Sequence, residues 1–256
     1  MANCIKSEFY RIFHTKMVYA LTGACLMVVL LFNVLLWAMA TFTVGFPWAT
    51  TKFAFSMLEG DMHIPLFLSA VMGSVVTADE LKHRTINNSV AFGLSRTQIY
   101  LSKLIVGIAA SAVCLLVTEA GLIGSGYLLL ENSGSAYTIS LLKGTVACIP
   151  AWIAGMVAFI SLYYVTGKES GGIWSWMLIM VAVPAVVGVL GMKFELCARL
   201  TSWLLYTMVS YTMPTEEWLT YSWSTAAGFL KCQEAGIIGA SLFIMLGIWA
   251  IRHREL

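Results

Sequence analysis

Charged residues are scarce in this chain. Only 11% of its 256 residues are Asp, Glu, Lys or Arg, whereas a soluble domain has about a quarter. Apolar residues make up 59% of the sequence. This composition excludes a soluble globular domain and predicts an all-α, polytopic membrane protein.

The sequence also lacks the motifs of a self-contained enzyme. No GxxxxGK[ST] phosphate loop is present, since Gly167 and Lys168 are followed by Glu169. The four histidines show no metal-ligand spacing, and the six cysteines form no CxxC pair. A net charge of +2 without a basic stripe gives no indication of nucleic acid. We therefore expect no catalytic residues, no metal site, no cofactor and no nucleic-acid partner in this chain.

Six apolar runs predict membrane-spanning helices. A span needs roughly 20 residues, because the hydrocarbon core is about 30 Å thick and a helix rises about 1.5 Å per residue. We predict spans at residues 17–42, 64–78, 100–130, 139–166, 173–191 and 232–251. A further apolar run, 198–213, contains Arg199 and stops at Pro214, so we do not count it as a span.

The basic residues predict the orientation of these spans. With six spans and both termini on one side, ten of the fifteen Lys and Arg residues fall on that side. Basic residues near the ends of spans resist translocation, whereas acidic residues matter little. We therefore predict that both termini lie in the cytoplasm.

Residues 1–16 carry the pattern of an amphipathic helix ahead of the first span. Apolar residues such as Phe9 and Phe13 recur at helical spacing, while Arg11 belongs to the polar side. Such a helix lies at the membrane interface and offers its polar side to lipid or to a partner protein. The pattern leaves open whether the helix only anchors the chain or also binds a partner.

A polar stretch, residues 79–103, separates the second and third predicted spans. Within it, Ile86, Val90 and Gly93 share one side of a short predicted helix. Gly93 is suited to end this helix, because glycine accepts the left-handed conformation just past a helix end. The alternative is an ordinary solvated loop.

The third span is predicted to begin at a fixed angle. Ser95 and Gln98 have the spacing of a capping box, in which each side chain bonds the other residue's backbone N–H. A span, a short helix and a firmly capped next span would form a rigid lever, through which force on the short helix moves the membrane helices.

The same stretch resembles the E…GTI…P.SR…K pattern of ABC-2 type permeases. The residues that carry this resemblance are Glu80, Arg84, Thr85, Ile86, Gly93, Ser95, Arg96, Tyr100 and Lys103. The chain departs from the pattern at Arg84, where many members have glycine, and at Gly93-Leu94, where proline is common. The predicted layout of interfacial helix, six spans and cytoplasmic helix is also similar to that family.

The resemblance implies a partner and an energy source outside this chain. In ABC-2 permeases the short cytoplasmic helix is a coupling helix, docked on a separate ATP-binding subunit, and the N-terminal helix adds contacts. It therefore implies a partner surface in segment 79–99, formed by Glu80, Arg84, Thr85, Ile86, Val90, Phe92 and Arg96. On the N-terminal helix it implies contacts from Phe9, Arg11 and Phe13.

Further expectations follow from the resemblance. The permease works with a second copy of itself and two ATP-binding subunits, which bind ATP and Mg. The expected location is the cytoplasmic membrane of a bacterial cell. A small permease without a large extracellular domain resembles exporters of bacteriocins, antimicrobial peptides or peptide toxins, and an interior rich in aromatic and aliphatic residues suits amphipathic or hydrophobic peptides.

Glu119 is the acidic residue that lies deep within a predicted span. Intramembrane carboxyls are costly to bury and usually have a role, so Glu119 is our candidate for the substrate pathway. The alternative is a protonated carboxyl bonded to a neighbouring helix. A competing function is a self-sufficient, proton-coupled secondary transporter that uses Glu119.

Residues 192–231 form a long segment before the last predicted span. Its aromatic residues suit the outer membrane interface, and Pro214 divides it. We predict re-entrant helices on either side of Pro214, which in ABC-2 proteins cap the exit pathway. Cys197 and Cys232 would lie on the outer side, either as a disulfide or as two free thiols.

Overall fold

A computed structural model describes residues 2–77, 90–91, 93–209, 211–215 and 218–253. Most of this part of the chain is helical. The helices are α1 (Ala2–Phe13), α2 (Lys16–Phe42), α3 (Thr51–Gly60), α4 (His63–Thr77), α5 (Arg96–Leu129), α6 (Ala136–Thr166), α7 (Glu169–Met177), α8 (Val183–Gly191), α9 (Glu195–Thr201), α10 (Leu205–Met208) and α11 (Ala226–His253). Leu178–Ala182 forms a π-helical turn between α7 and α8.

Five of the six predicted spans are confirmed as long apolar helices. In the described part of the chain, five helical stretches are long and apolar enough to cross a membrane: α2, α5, α6, α11 and the continuous stretch Glu169–Gly191. The remaining predicted span corresponds to α3 and α4, which meet at a bend of 58°. Counting this bent pair as one broken span gives six.

Helix α6 forms the centre of the bundle. In its most apolar stretch 78% of the residues are buried, against 11% for α2 and 17% for Glu169–Gly191. Helices α3, α4, α7 and α11 pack around α6, while α2 and α1 pack on α5. Helices α2 and α7–α8 therefore lie at the periphery and leave wide apolar faces uncovered.

The segment before the last helix differs from the prediction. Its first half contains the short helices α9 and α10, but Pro214 lies inside a strand. Strands β1 (Tyr211–Thr215) and β2 (Trp218–Tyr221) pair antiparallel and form a hairpin. The prediction of a second helix after Pro214 is therefore wrong. A run of β-branched and aromatic residues around a proline favours an edge hairpin over a helix.

Candidate functional site

The N-terminal helix packs onto the membrane helices rather than lying apart from them. Ile12 is buried with Val76 of α4 and Val106 of α5, and Phe9 packs against this cluster. The Cys4 thiol lies 3.2 Å from the Ser102 hydroxyl of α5. We call the end of the bundle that carries these contacts the α1 end, and the opposite one the hairpin end.

A chain of charged contacts fastens α1 to its neighbours. The fully buried Lys103 ammonium of α5 donates to Glu8 at 2.9 Å. The other Glu8 oxygen pairs with Arg11 at 2.8 Å, and Arg11 also donates to the Val76 carbonyl of α4. The polar side of α1, which was expected to face lipid or a partner, thus turns two of its charges toward the protein. Burying Lys103 beside a carboxylate compensates the cost of removing its charge from water.

The start of α5 has the geometry that the sequence predicts. The Gln98 N–H donates to the Ser95 hydroxyl and the Ser95 N–H donates to the Gln98 side chain, both at 3.2 Å. Gly93 has a φ of +86° and its N–H bonds the Val90 carbonyl. Both the capping box at the start of α5 and the left-handed conformation of Gly93 are confirmed.

Two further contacts connect the start of α5 to the rest of the bundle. The Arg96 guanidinium lies 3.4 Å from the carbonyls of Ile251 and Arg252, at the last turn of α11. Tyr100 is fully buried and its hydroxyl lies 2.9 Å from that of Ser161 on α6. The Ser161 hydroxyl in turn lies 2.7 Å from the Phe243 carbonyl of α11. The start of α5 is therefore joined by hydrogen bonds to both α6 and α11.

The structure describes part of the predicted partner surface. Glu80, Arg84, Thr85, Ile86 and Phe92 lie outside the described residues. Val90 is half-buried and packs against the main apolar core, and Arg96 bonds α11 as above. On α1, Phe13 is 57% exposed and stacks on Phe9, with 6.1 Å between ring centroids. Phe13 is thus exposed at the surface, whereas the Arg11 guanidinium bonds Glu8 and the Val76 carbonyl.

Glu119 faces the central helix of the bundle. It is 7% exposed, and its carboxyl accepts a hydrogen bond of 2.6 Å from the Thr145 hydroxyl of α6. One carboxyl oxygen of Glu119 is therefore hydrogen-bonded to a neighbouring helix. The alternative interpretation of Glu119, a protonated carboxyl in a structural role, includes such a bond. The geometry holds the carboxyl at the contact between α5 and α6, beside the most buried helix.

A second buried carboxyl, Glu59, lies at the hairpin end. It is 4% exposed and is the next-to-last residue of α3, just before the bend. Its Oε1 accepts from the Ser140 hydroxyl at 2.8 Å and from the indole N–H of Trp223 at 3.5 Å. Glu59 therefore joins α3, α6 and the loop that follows the hairpin.

The loop after the hairpin closes this end of the bundle. Trp223 is buried, and its ring stacks on Tyr221 with 5.1 Å between centroids. Burial raises the pKa of Tyr221 to about 12, and the nearby Glu59 adds to the effect. The Tyr221 hydroxyl consequently stays protonated at neutral pH. All six cysteines are free, including Cys197 and Cys232.

Sequence reasoning missed Glu59 because the predicted span began at residue 64. That boundary left Glu59 outside the predicted span, whereas the structure places it in α3, on the other side of the bend from α4. The useful signal was the apolar spacing of Phe53, Ala54 and Leu58 ahead of Glu59. Among the described residues, no group of three or more His, Cys, Asp or Glu side chains forms a metal site.

These features define a multi-pass helical membrane protein whose connected polar contacts gather at the α1 end. Residues 4–181 match the model of a family described as ABC-2 family transporter protein. The match covers more than half of the chain, so the chain belongs to the ABC-2 transporter family. As such it is a membrane subunit of an ABC transporter, in a family that works with ATP-binding subunits and whose membrane subunits have no ATPase domain of their own. The comparison with curated proteins found no match.

Proposed function

We propose that this chain is the permease of an ATP-driven exporter that moves amphipathic or hydrophobic peptides out of a bacterial cell. Segment 79–99 acts as the coupling segment, and the α1 end faces the cytoplasm. Separate subunits bind ATP and Mg and close together, and this closure switches the permease between inward and outward access. The ATP hydrolysed by those subunits supplies the energy of transport.

The observation that carries this proposal is the set of connections at the start of α5. Ser95 fixes the angle of the helix, while Arg96 and Tyr100 connect it to α6 and α11. Lys103 connects it to α1. A push on the segment before Gly93 would therefore move several spans together, because the helices are joined by short polar contacts rather than by apolar packing alone.

The exposed spans support assembly with a second copy of this chain. On α2, the side chains of Val28, Leu31 and Leu35 are more than half exposed. On α8, those of Val186 and Val189 are also more than half exposed. A two-fold dimer would cover such peripheral faces and enclose a pathway that six helices alone do not surround. The apolar lining that would result suits the peptide substrates proposed above.

Replacing Ile86 with Asp should weaken the docking of the permease on the ATP-binding subunit and lower the ATPase rate of the complex. A charge on the apolar side of the coupling segment would disrupt its docking on the ATP-binding subunit, because a desolvated carboxylate is costly. The chain is purified together with an ATP-binding subunit with which it forms a complex, and stoichiometry and ATPase rate are measured. We expect a two-plus-two complex for wild type and at least a tenfold lower ATPase rate for Ile86→Asp.

Asn88→Asp is the matched control. It adds the same charge on the opposite side of the predicted helix and should keep most of the ATPase rate. Equal rates for Ile86→Asp and wild type in an assembled complex would refute the coupling assignment. A chain that purifies alone and transports in liposomes without ATP would favour the secondary transporter instead.

Glu119→Gln should reduce transport more than it reduces stability. The amide oxygen of glutamine can still accept the Thr145 hydrogen bond, so the contact between α5 and α6 persists while the titratable group is lost. We expect export of a labelled amphipathic peptide to fall at least tenfold, with a thermal midpoint within a few degrees of wild type. Thr145→Val, which removes the hydrogen bond, should instead lower the midpoint. Unchanged export by Glu119→Gln, with unchanged pH dependence, would leave Glu119 with a structural role.

A further inference from the structure

An apolar cavity opens on the side of the bundle near the hairpin end. Its volume is about 260 Å³. It lies between the π-helical turn, the short helix α10 and α11, and its wall includes Met180, Pro184 and Leu205. Ile238 and Leu242 of α11 line the cavity and are each more than half exposed, so it opens toward the surrounding lipid.

The π-helical turn and Pro184 explain why the wall is open here. Proline has no N–H and its ring clashes with the carbonyl four residues earlier, so a regular α-helix is disrupted just before Pro184. The wider turn at Leu178–Ala182 absorbs this irregularity. Helix α8 therefore does not pack closely along α11, and the space between them stays partly empty.

A cation lies along the same side of α11 as the cavity. Lys231 precedes Ala235, Ile238 and Leu242 by four, seven and eleven residues, the spacing of one helical face. The last three line the cavity. The face thus carries one ammonium followed by about 16 Å of apolar surface, at about 1.5 Å per residue.

Lys231 lies beside the wall of the cavity. Its ammonium lies 5.1 Å from the centroid of the Trp203 ring, and Trp203 itself lines the cavity. It also donates to the Ser202 hydroxyl at 2.8 Å. Among the described residues, no Asp or Glu oxygen lies within ion-pair distance of this ammonium. An indole and a lysine are side chains typical of the membrane interface, where lipid phosphates lie.

We propose that this cavity and the Lys231–Ser202 pair form a binding site for an anionic phospholipid. The phosphate would accept from the Lys231 ammonium and the Ser202 hydroxyl, and one acyl chain would lie along Ala235, Ile238 and Leu242. The cavity is open on the side of Ile238 and Leu242, so an acyl chain can lie along it without being fully enclosed. The Lys231 ammonium selects an anionic headgroup over a zwitterionic one.

Native mass spectrometry of the full chain tests the site. The protein is delipidated and reloaded with dioleoyl phosphatidylglycerol or dioleoyl phosphatidylcholine at equal concentration. We expect wild type to retain the anionic lipid about tenfold more than the zwitterionic lipid. Lys231→Gln should remove this preference, and Lys231→Arg should keep it. Ile238→Trp, which fills the cavity from its lipid side, should lower retention of both lipids.

Lys143→Gln is the matched control, because Lys143 is an exposed lysine at the same end that bonds the Ser224 carbonyl. It should leave the preference unchanged. Equal retention of both lipids by wild type, or equal effects of Lys143→Gln and Lys231→Gln, would overturn the proposal. Loss of the preference in Lys231→Arg, or normal retention in Ile238→Trp, would do so as well. No nucleotide is present, so the result is independent of the proposed export function.

Discussion

Replacing Lys103 with Met should release α1 from the bundle. Glu8 would lose its buried cation and would keep only Arg11, while its carboxylate remains 15% exposed. Breaking a buried ion pair lowers the free energy of unfolding by about 3–5 kcal/mol. Because Glu8 keeps its contact with Arg11, we expect a loss of about 3 kcal/mol or less. Hydrogen exchange of residues 2–13 measures the release directly, because docked α1 amides are protected and detached ones are not.

Lys6→Met is the matched control, since Lys6 is an exposed lysine on α1 itself. It should leave the exchange of α1 unchanged. The double variant Glu8→Gln, Lys103→Met should recover part of the protection, because it removes both charges of the pair. Normal protection of α1 in Lys103→Met alone would show that Arg11 suffices to hold Glu8 and that the pair does not fasten the helix.

Gly236→Ala should separate α11 from α6 and strongly destabilise the bundle. A Cβ at this position would lie 2.5 Å from Pro150 Cβ, 2.6 Å from the Pro150 carbonyl carbon and 2.7 Å from the Ala151 nitrogen. Two of these atoms belong to the backbone of the central helix, so a side-chain rotation cannot make room. Overpacking typically lowers the free energy of unfolding by about 1–3 kcal/mol. Because the neighbouring atoms belong to a rigid backbone, we expect Gly236→Ala to cost about 3 kcal/mol. The thermal midpoint in detergent should fall by several degrees.

The same substitution at two other glycines gives the control for Gly236→Ala. Gly239→Ala meets mainly the Leu205 side chain at 3.1 Å, which can move, and Gly124→Ala meets nothing within 4 Å. The first should cost less than Gly236→Ala, and the second should leave stability unchanged or raise it slightly through the better helix propensity of alanine. If all three variants melt at the same temperature, close packing at Gly236 does not limit stability.

The sequence predicted the features that depend on local chemistry. Long apolar runs marked the helices, because a bilayer demands about 20 apolar residues whatever they pack against. The capping box at Ser95 and the left-handed Gly93 were predictable for the same reason, since each depends on a few adjacent residues. The family followed from residues concentrated in one short stretch.

The features that the sequence did not predict depend on which helices meet. The sequence around Lys103 does not predict that Glu8 is its partner, because the packing of α1 on α5 brings the two residues together. Glu59 was not singled out because the predicted span began at residue 64, on the far side of the 58° bend between α3 and α4. The hairpin at Tyr211–Thr215 was read as helix because aromatic residues suit either structure at a membrane interface.

The contact between Lys103 and Glu8 also imposes an order on the assembly of the helices during synthesis. Helix α1 leaves the ribosome before α5, and the buried Lys103 ammonium that pairs with Glu8 follows about a hundred residues later. Until α5 has entered the membrane, α1 has no pocket for Ile12 and no Lys103 for Glu8. Helix α1 can therefore reach its final position only after α5, the second of the long apolar helices, is in place.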